Sequence, residues 1–249
     1  MRAPELTSEI DRRLLVNYRV DPDPLRRLLP APLRPQLVDG AGVAGICLIR
    51  LTGVRPRRTP RALGLTTENA AHRVAVEWDG PDGVRTGVFV PRRDTDSWLT
   101  ALLGGRVFPG VHSRARFRVA EEGDDLQVGF RTVDGDVDVD VHVRIAEELT
   151  GSRLFGTAAE ASRFFEQGSV GWSPGHDHGR LEGLQLATAA WRVEPAELVS
   201  VRSSFFSDPA RFPSGTADLD CALVMRRVPV SWSTVPPAAL TTAGPAQEM

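Results

Sequence analysis

The 249-residue sequence contains no lysine: all 30 of its basic residues are arginine. Any reaction that needs a side-chain primary amine is thereby excluded, imine formation with a carbonyl substrate among them. There are two cysteines, Cys47 and Cys221. Each lies in or opens an apolar run, so both read as small buried residues rather than as a disulfide or a nucleophile. No stretch approaches the ~18 consecutive apolar residues that a membrane-spanning helix needs. Neither sign of charge dominates, since 30 basic against 32 acidic residues leave a formal net charge of -2. That balance supplies no field to gather nucleic acid or an anionic membrane, and neither is expected as a partner. Walker A, CxxC, GxSxG, HExxH and glycine-rich dinucleotide strings are all missing, so ATP, NAD, structural zinc and serine-hydrolase chemistry find no support. The opening MRAPELTSEIDRRLL has no apolar export core, and with two free thiols the expected location is the cytoplasm.

What is present reads mostly as strand. From Asp136 to Ile145, Val137, Val139, Val141, Val143 and Ile145 alternate with Asp138, Asp140, His142 and Arg144, a period of two with one buried face. Charges on the other face imply an antiparallel sheet with a wet side or a polar pocket. Leu65 to Trp78, the turn Asp79-Gly80-Pro81-Asp82-Gly83 and Val84 to Val90 form a long hairpin. Further strands are expected over Leu14–Val20, Leu33–Val38, Val43–Leu51, His112–Ala120, Leu126–Arg131, Arg180–Ala187 and Leu219–Trp232.

Helices are few and short. Asp21-Pro22-Asp23-Pro24 starts one that Pro30 stops. Asp94 or Thr95 is placed to cap a second through Leu103, ending at Gly104-Gly105. Thr157 with Glu160 forms a capping box for a third that ends at Gly168. With no repeat or linker, the expectation is one domain over 1–235 and a flexible tail over 236–249. The basic loop Arg55 to Arg61 reads as solvated surface.

The segment GVFVPRRDTDSWLTALLGGRVFPGVHSRARFRV, from Gly87 to Val119, joins a strand, a capped helix, Phe-Pro and a strand with alternating arginines. It resembles the acetoacetate decarboxylase superfamily, and within it a branch of uncharacterised bacterial proteins with a Pro-x-x-His-x-Arg-x-Arg strand. The resemblance implies an α+β fold, mostly antiparallel β, built as a cone-shaped β-barrel with a few short helices. In the decarboxylases the Phe-Pro pair is followed by two lysines, one forming a Schiff base and the other depressing its pKa. Here Gly110-Val111 follow Phe108-Pro109, so the resemblance points to the chemistry that composition has already removed. It also implies that Glu68 is a pocket carboxylate and that Arg19, after Tyr18, matches a pocket arginine.

Strand alternation puts Glu68 and His72 on one face, about 13 Å apart at ~3.3 Å per residue. They suit opposite ends of a pocket; the alternative is a salt-bridged Glu68 and a rim His72. On the following strand His112, Arg114, Arg116 and Arg118 share a face. Arg116 and Arg118 are assigned to ion pairs with Asp138, Asp140 or neighbouring carboxylates. Beside Gly110-Val111, Arg114 could hold a carboxylate bidentately and His112 could move a proton near neutral pH. The string Gly175-His176-Asp177-His178-Gly179 can chelate, but its flanking glycines read as an ordinary hairpin turn, so no metal is expected.

The resulting expectation is an enzyme or binder for a small carboxylate or carbonyl compound, needing neither metal nor cofactor. Glu68 and His112 would be its acid/base pair, and Arg114, His72 and Arg19 its binding residues. A lyase- or isomerase-type activity and a non-catalytic sensor both remain open, as does self-association. Treating the folded protein with acetoacetate and borohydride should leave no reduced adduct on any side chain. An adduct mapped by intact mass and digestion to a residue other than Met1 would contradict this.

Overall fold

The structure, a computed structural model, describes residues 5–98, 110–175 and 179–240. Its long strands are β1 (Leu6–Val20), β4 (Ala41–Pro56), β5 (Leu65–Gly80), β6 (Gly83–Thr95) and β13 (Ala217–Val235). The shorter ones are β2 (Arg34–Pro35), β3 (Leu37–Val38), β7 (His112–Glu122), β8 (Asp125–Thr132), β9 (Asp138–Ile145), β10 (Val170–Pro174), β11 (Leu181–Ala187) and β12 (Glu194–Ser203). The helices α1 (Pro22–Leu28) and α2 (Ala158–Gln167) accompany them among the described residues. The α+β, mostly antiparallel expectation holds.

The strands form one sheet that closes on itself twice. A smaller ring runs β1-β4-β5-β6-β10-β11-β13 and back to β1; a larger one replaces β10 and β11 with β7, β8, β9 and β12. The wall β13-β1-β4-β5-β6 is common to both, so this is a pair of fused hydrogen-bonded rings rather than a clean barrel. The sheet is also mixed, because β6 runs parallel to both β7 and β10.

Membership of two rings explains the composition of the wall. Val43, Ala44, Ile46, Cys47 and Leu48 of β4 are all buried, as are Leu14, Leu15 and Val16 of β1. Such runs are those of strands covered on both faces. Leu15, Cys47, Ala75, Leu223 and Met225 line the smaller ring with Phe165 of α2. Leu14, Ile46, Val74 and Val224 turn the other way, into a core with Val128, Val139 and the aromatics Phe205, Phe206 and Phe212.

The β5–β6 hairpin forms where expected, Gly80 and Gly83 closing the ladder. Gly83 has φ of 123°, a value that β-carbon sterics disfavour. β6, however, continues to Thr95, so Asp94 and Thr95 are strand residues paired with Ala70 and Asn69. The helix expected from them does not begin there: Trp98 is the first helical residue, and 99–109, with Phe108-Pro109, lie outside the described residues. Leu33–Val38 is two short bridges rather than one strand, since Pro35 has no N–H for a longer ladder. β12 was not legible, its alternation being masked by Pro195 and interspersed Glu and Ser. The Thr157 cap forms, its Oγ1 accepting from the Glu160 amide at 3.2 Å, while Glu160 reaches one residue past the cap and accepts from the Gly156 amide at 2.9 Å. Of the expected tail, Pro237–Leu240 is a 3-10 turn whose Ala239 carbonyl accepts from Trp78 Nε1 at 3.0 Å. Leu240 is buried; residues 241–249 lie outside the described ones.

His72 is fully buried in the second core, its ring 4.2 Å from that of Phe205, with neither nitrogen hydrogen-bonded. Burial first, then the charges of Arg92 and Arg211, lowers its pKa to about 3. The unfolded chain therefore binds this proton more readily than the native state. Its contribution to stability is complete above the ordinary histidine pKa and is lost as pH falls toward 3, by at most ~1.4 kcal/mol per pH unit. His72→Leu should flatten the fall in melting temperature between pH 6 and pH 4; equal slopes for variant and wild type would refute this.

Candidate functional site

The smaller ring encloses a cavity of about 120 Å³. Its walls are mainly apolar, with Ile49, Leu51, Val88, Val90, Leu184 and Trp191 prominent. Three arginines interrupt them, Arg13 from β1, Arg73 from β5 and Arg93 from β6, and His112 joins them from the start of β7.

Strand register fixes the order of these groups. Leu15, Cys47, Ala71, Arg93 and His112 lie side by side in one row across β1, β4, β5, β6 and β7. Asn17, Gly45 and Arg73 form the next row one way, and Arg13, Ile49 and Asn69 the next the other way. Gly45 is required where Arg73 crosses it. A β-carbon there would lie 2.3 Å from the Val16 carbonyl oxygen and 3.4 Å from Arg73 Nη2.

Arg73 is 3% exposed. Its Nη2 donates to Asn17 Oδ1, and its guanidinium carbon sits 4.5 Å above the Phe165 ring. Nε and Nη1 have no partner. Arg93 donates from Nε to Ser173 Oγ at 3.0 Å, and Arg13 from Nε to Cys47 Sγ at 3.2 Å. Among the described residues none of the three is ion-paired to a carboxylate, unlike most other arginines of the sheet. Burial lowers the pKa of Arg73 and of Arg93 to about 10, leaving both charged at neutral pH. A buried guanidinium with unmade hydrogen bonds and no counter-charge is a costly arrangement unless an anion completes it.

The structure separates the residues expected to share a pocket. Of the five, His112 alone lines the cavity, with Nδ1 3.0 Å from the Gly110 carbonyl oxygen. Glu68 points to the other face of β5, where Oε2 accepts from Arg12 Nη2 and Oε1 from Arg50 Nε, each at 2.6 Å. Arg12 also reaches Glu121 at 2.5 Å. The expected pocket placement of Glu68 is thus corrected: a strand between two interiors sends alternate residues to different ones, and the cavity takes Asn69, Ala71 and Arg73. His72 shares the Glu68 face as alternation required, but aromatic packing fills the space beside it. Arg114 is solvent-exposed and Arg19 is half-buried between Val43 and Asp218; neither lines the cavity. Arg118 pairs with Asp140 at 3.7 Å, as expected. His176-Asp177-His178 lies outside the described residues.

A family model described as "Uncharacterized conserved protein" matches residues 7–228. The chain belongs to this family, DUF2071. No curated protein matches the DUF2071 chain in sequence. Among solved structures it is similar to an acetoacetate decarboxylase-like enzyme from Sphingomonas wittichii RW1, with 14% identity and a TM-score of 0.56 over 92% of this chain and 89% of that one. It is also similar to the enduracididine biosynthesis enzyme MppR complexed with pyruvate, at 13% identity and TM-score 0.58 over 97% and 93% of the two chains. Acetoacetate decarboxylase from Legionella pneumophila gives 15% identity and 0.54 over 94% and 87%. At these identities the likeness is one of fold.

In the DUF2071 protein, Gly110 has φ of 91°, and a β-carbon there would lie 2.8 Å from Ser173 Cβ and 3.4 Å from Arg93 Nε. A side chain at this position would require Ser173 or the local backbone to shift. Sequence reading missed Arg13, Arg73 and Arg93 as site residues. A signal for Arg73 existed in the small residues around it, Gly45, Ala71 and Ala75, which leave room for a long side chain on that face.

Arg12 and Arg73 provide a matched test. Breaking a buried ion pair costs roughly 3–5 kcal/mol, whereas removing an unpaired buried charge costs little or stabilises. Arg12→Met should lower the melting temperature by several degrees at ~2–4 °C per kcal/mol, and Arg73→Met should leave it unchanged or raise it. The opposite order by calorimetry would overturn this account of the two faces.

Proposed function

We propose that the cavity of the smaller ring binds a small carboxylate or keto acid, with Arg73 and Arg93 as its anion anchors. The observation that carries this is Arg73, which lines a largely apolar cavity and whose buried guanidinium has two nitrogens without a hydrogen-bond partner. Small-molecule sites combine such walls with a few convergent polar groups. A cavity of about 120 Å³ is of the size that admits a small organic molecule, since about 150 Å³ admits benzene. The similar enzyme MppR, complexed with pyruvate, makes a keto acid a natural first ligand to try.

Without lysine, no imine can anchor the ligand, so binding rests on charge-assisted hydrogen bonds. His112, in the same row as Arg93, is the acid/base candidate. A carboxylate held by Arg93 would bring its α-carbon substituents toward the imidazole, an arrangement suited to proton transfer next to a carbonyl. Glu68, engaged by Arg12 and Arg50, has no part in this reading, and Arg114, His72 and Arg19 are not its binding residues. Among the described residues no helix is long and apolar enough to cross a membrane, and the two free thiols suit a reducing cytoplasm.

Pyruvate and propionate should bind saturably by calorimetry, and their neutral amides should not. Arg73→Met or Arg93→Met should weaken binding about 10- to 100-fold, the loss of ~1.5–3 kcal/mol for a charged hydrogen bond, while Arg114→Met should change nothing. Amides binding as well as acids would refute the anion site. Deuterium exchange into the pyruvate methyl group separates an enzyme from a binder. His112-dependent acceleration marks proton transfer, and a background rate leaves a ligand-binding protein.

A further inference from the structure

We infer that the ligand of this cavity carries two carboxylates, a short-chain dicarboxylate with four or five carbons, held at one end by Arg93 and at the other by Arg73. This rests on the carboxylate-binding reading above and narrows it to a substrate class.

The two guanidiniums diverge. Arg73 and Arg93 stem from neighbouring strands in adjacent rows, with Ala71 directly opposite Arg93, so their Cα atoms are roughly 7–8 Å apart as diagonal cross-strand neighbours. Arg73 leans toward β1, its Nη2 on Asn17 and its plane on Phe165. Arg93 leans the other way, toward β10. Its Nε meets Ser173 Oγ at 3.0 Å, and its Nη2 lies 3.6 Å from where a β-carbon on Gly171 would sit. The cavity that both arginines line is otherwise mainly apolar, with Val88 and Val90 of β6 among its residues. A single carboxylate has oxygens only ~2.2 Å apart; if it pairs bidentately with one fork it leaves the other without an anion.

Charge balance points the same way. Arg13, Arg73 and Arg93 bring three positive charges to the cavity lining. Asp94, the carboxylate among its described lining residues, is ion-paired with Arg92 at 3.0 Å, and Glu182, outside the lining, accepts from the Gly110 amide at 2.7 Å. A monoanion leaves two guanidiniums uncompensated in an apolar enclosure, and a dianion leaves one. That one is Arg13, half-buried and spread over Cys47 Sγ and the Trp191 ring. The separation of the anchors favours charges at two ends of a short chain over a compact dianion.

The test is calorimetric titration with succinate and glutarate against butyrate, pentanoate, monomethyl succinate, pyruvate and inorganic phosphate. Each dicarboxylate should bind at least about ten-fold tighter than its length-matched monoacid, and monomethyl succinate should behave as a monoacid. Arg73→Met and Arg93→Met should each bring succinate down to the butyrate level. If either variant fails to fold, wild-type succinate against monomethyl succinate decides. Monoacids binding as tightly as diacids would overturn this inference and leave the carboxylate reading intact. Phosphate binding tighter than any diacid would overturn it in favour of a compact anion. Binding by no carboxylate at all would remove both.

Discussion

The common wall β13-β1-β4-β5-β6 is covered on both faces, and that constraint organises the rest of the molecule. Each side chain along it belongs to one interior or the other, and a slip of one residue would exchange the two sets. Glu68 and His72 would then enter the cavity, and Arg73 would enter the aromatic core. Register is held by close contacts as much as by ladder hydrogen bonds. The Gly45 backbone passes so near Val16 that even a methyl group would meet its carbonyl oxygen at 2.3 Å, and Asn17 ties its amide to the Leu15 carbonyl at 3.2 Å.

The wall treats buried charge in two ways. On one face Arg12, 1% exposed, is set between Glu68 and Glu121, and Arg50 shares the same carboxylates. Desolvation there is offset by short, charged hydrogen bonds. On the other face Arg73 has a neutral amide and an aromatic ring. A cation over a phenyl face and one neutral hydrogen bond recover only part of the hydration a guanidinium loses. A stable fold normally satisfies its buried groups, so a place where it does not is where function is most economically sought.

Much of the fold was legible because the period-two signal is strong where one face is apolar and the other charged. β9, with Val139, Val141 and Val143 against Asp138, Asp140 and His142, is such a strand, and so is the β5–β6 hairpin with its glycine-bounded turn. The ring closures were not legible from residue pattern, because they depend on distant pairings such as β11 with β13 and the parallel contact of β10 with β6. The site suffered from the same gap. Alternation correctly divided Glu68 and His72 from Asn69, Ala71 and Arg73, but on a strand buried on both faces nothing local says which side holds the space. The resemblance then drew attention to Glu68, whereas register places its neighbours Ala71 and Arg73 opposite Cys47 and Gly45 on the cavity wall. His112, singled out because it follows the Gly110-Val111 position, lines the cavity.

A pocket lined by arginines answers pH differently from one built around a lysine amine. An amine that forms an imine must be neutral, so such a site is gated by its pKa and is tuned by placing a second cation beside it. Guanidiniums such as Arg73 and Arg93, with pKa lowered only to about 10, stay charged throughout the neutral range, so on the carboxylate reading their pull on an anion holds across all of it. The electrostatic anchor is therefore constant where a covalent one would be conditional. Gly110 has a left-handed φ, and a β-carbon there would lie 2.8 Å from Ser173 Cβ and 3.4 Å from Arg93 Nε, so the space beside it is taken up by those two side chains. On the carboxylate reading, affinity is set by how well the ligand's charges match the spacing of these fixed guanidiniums.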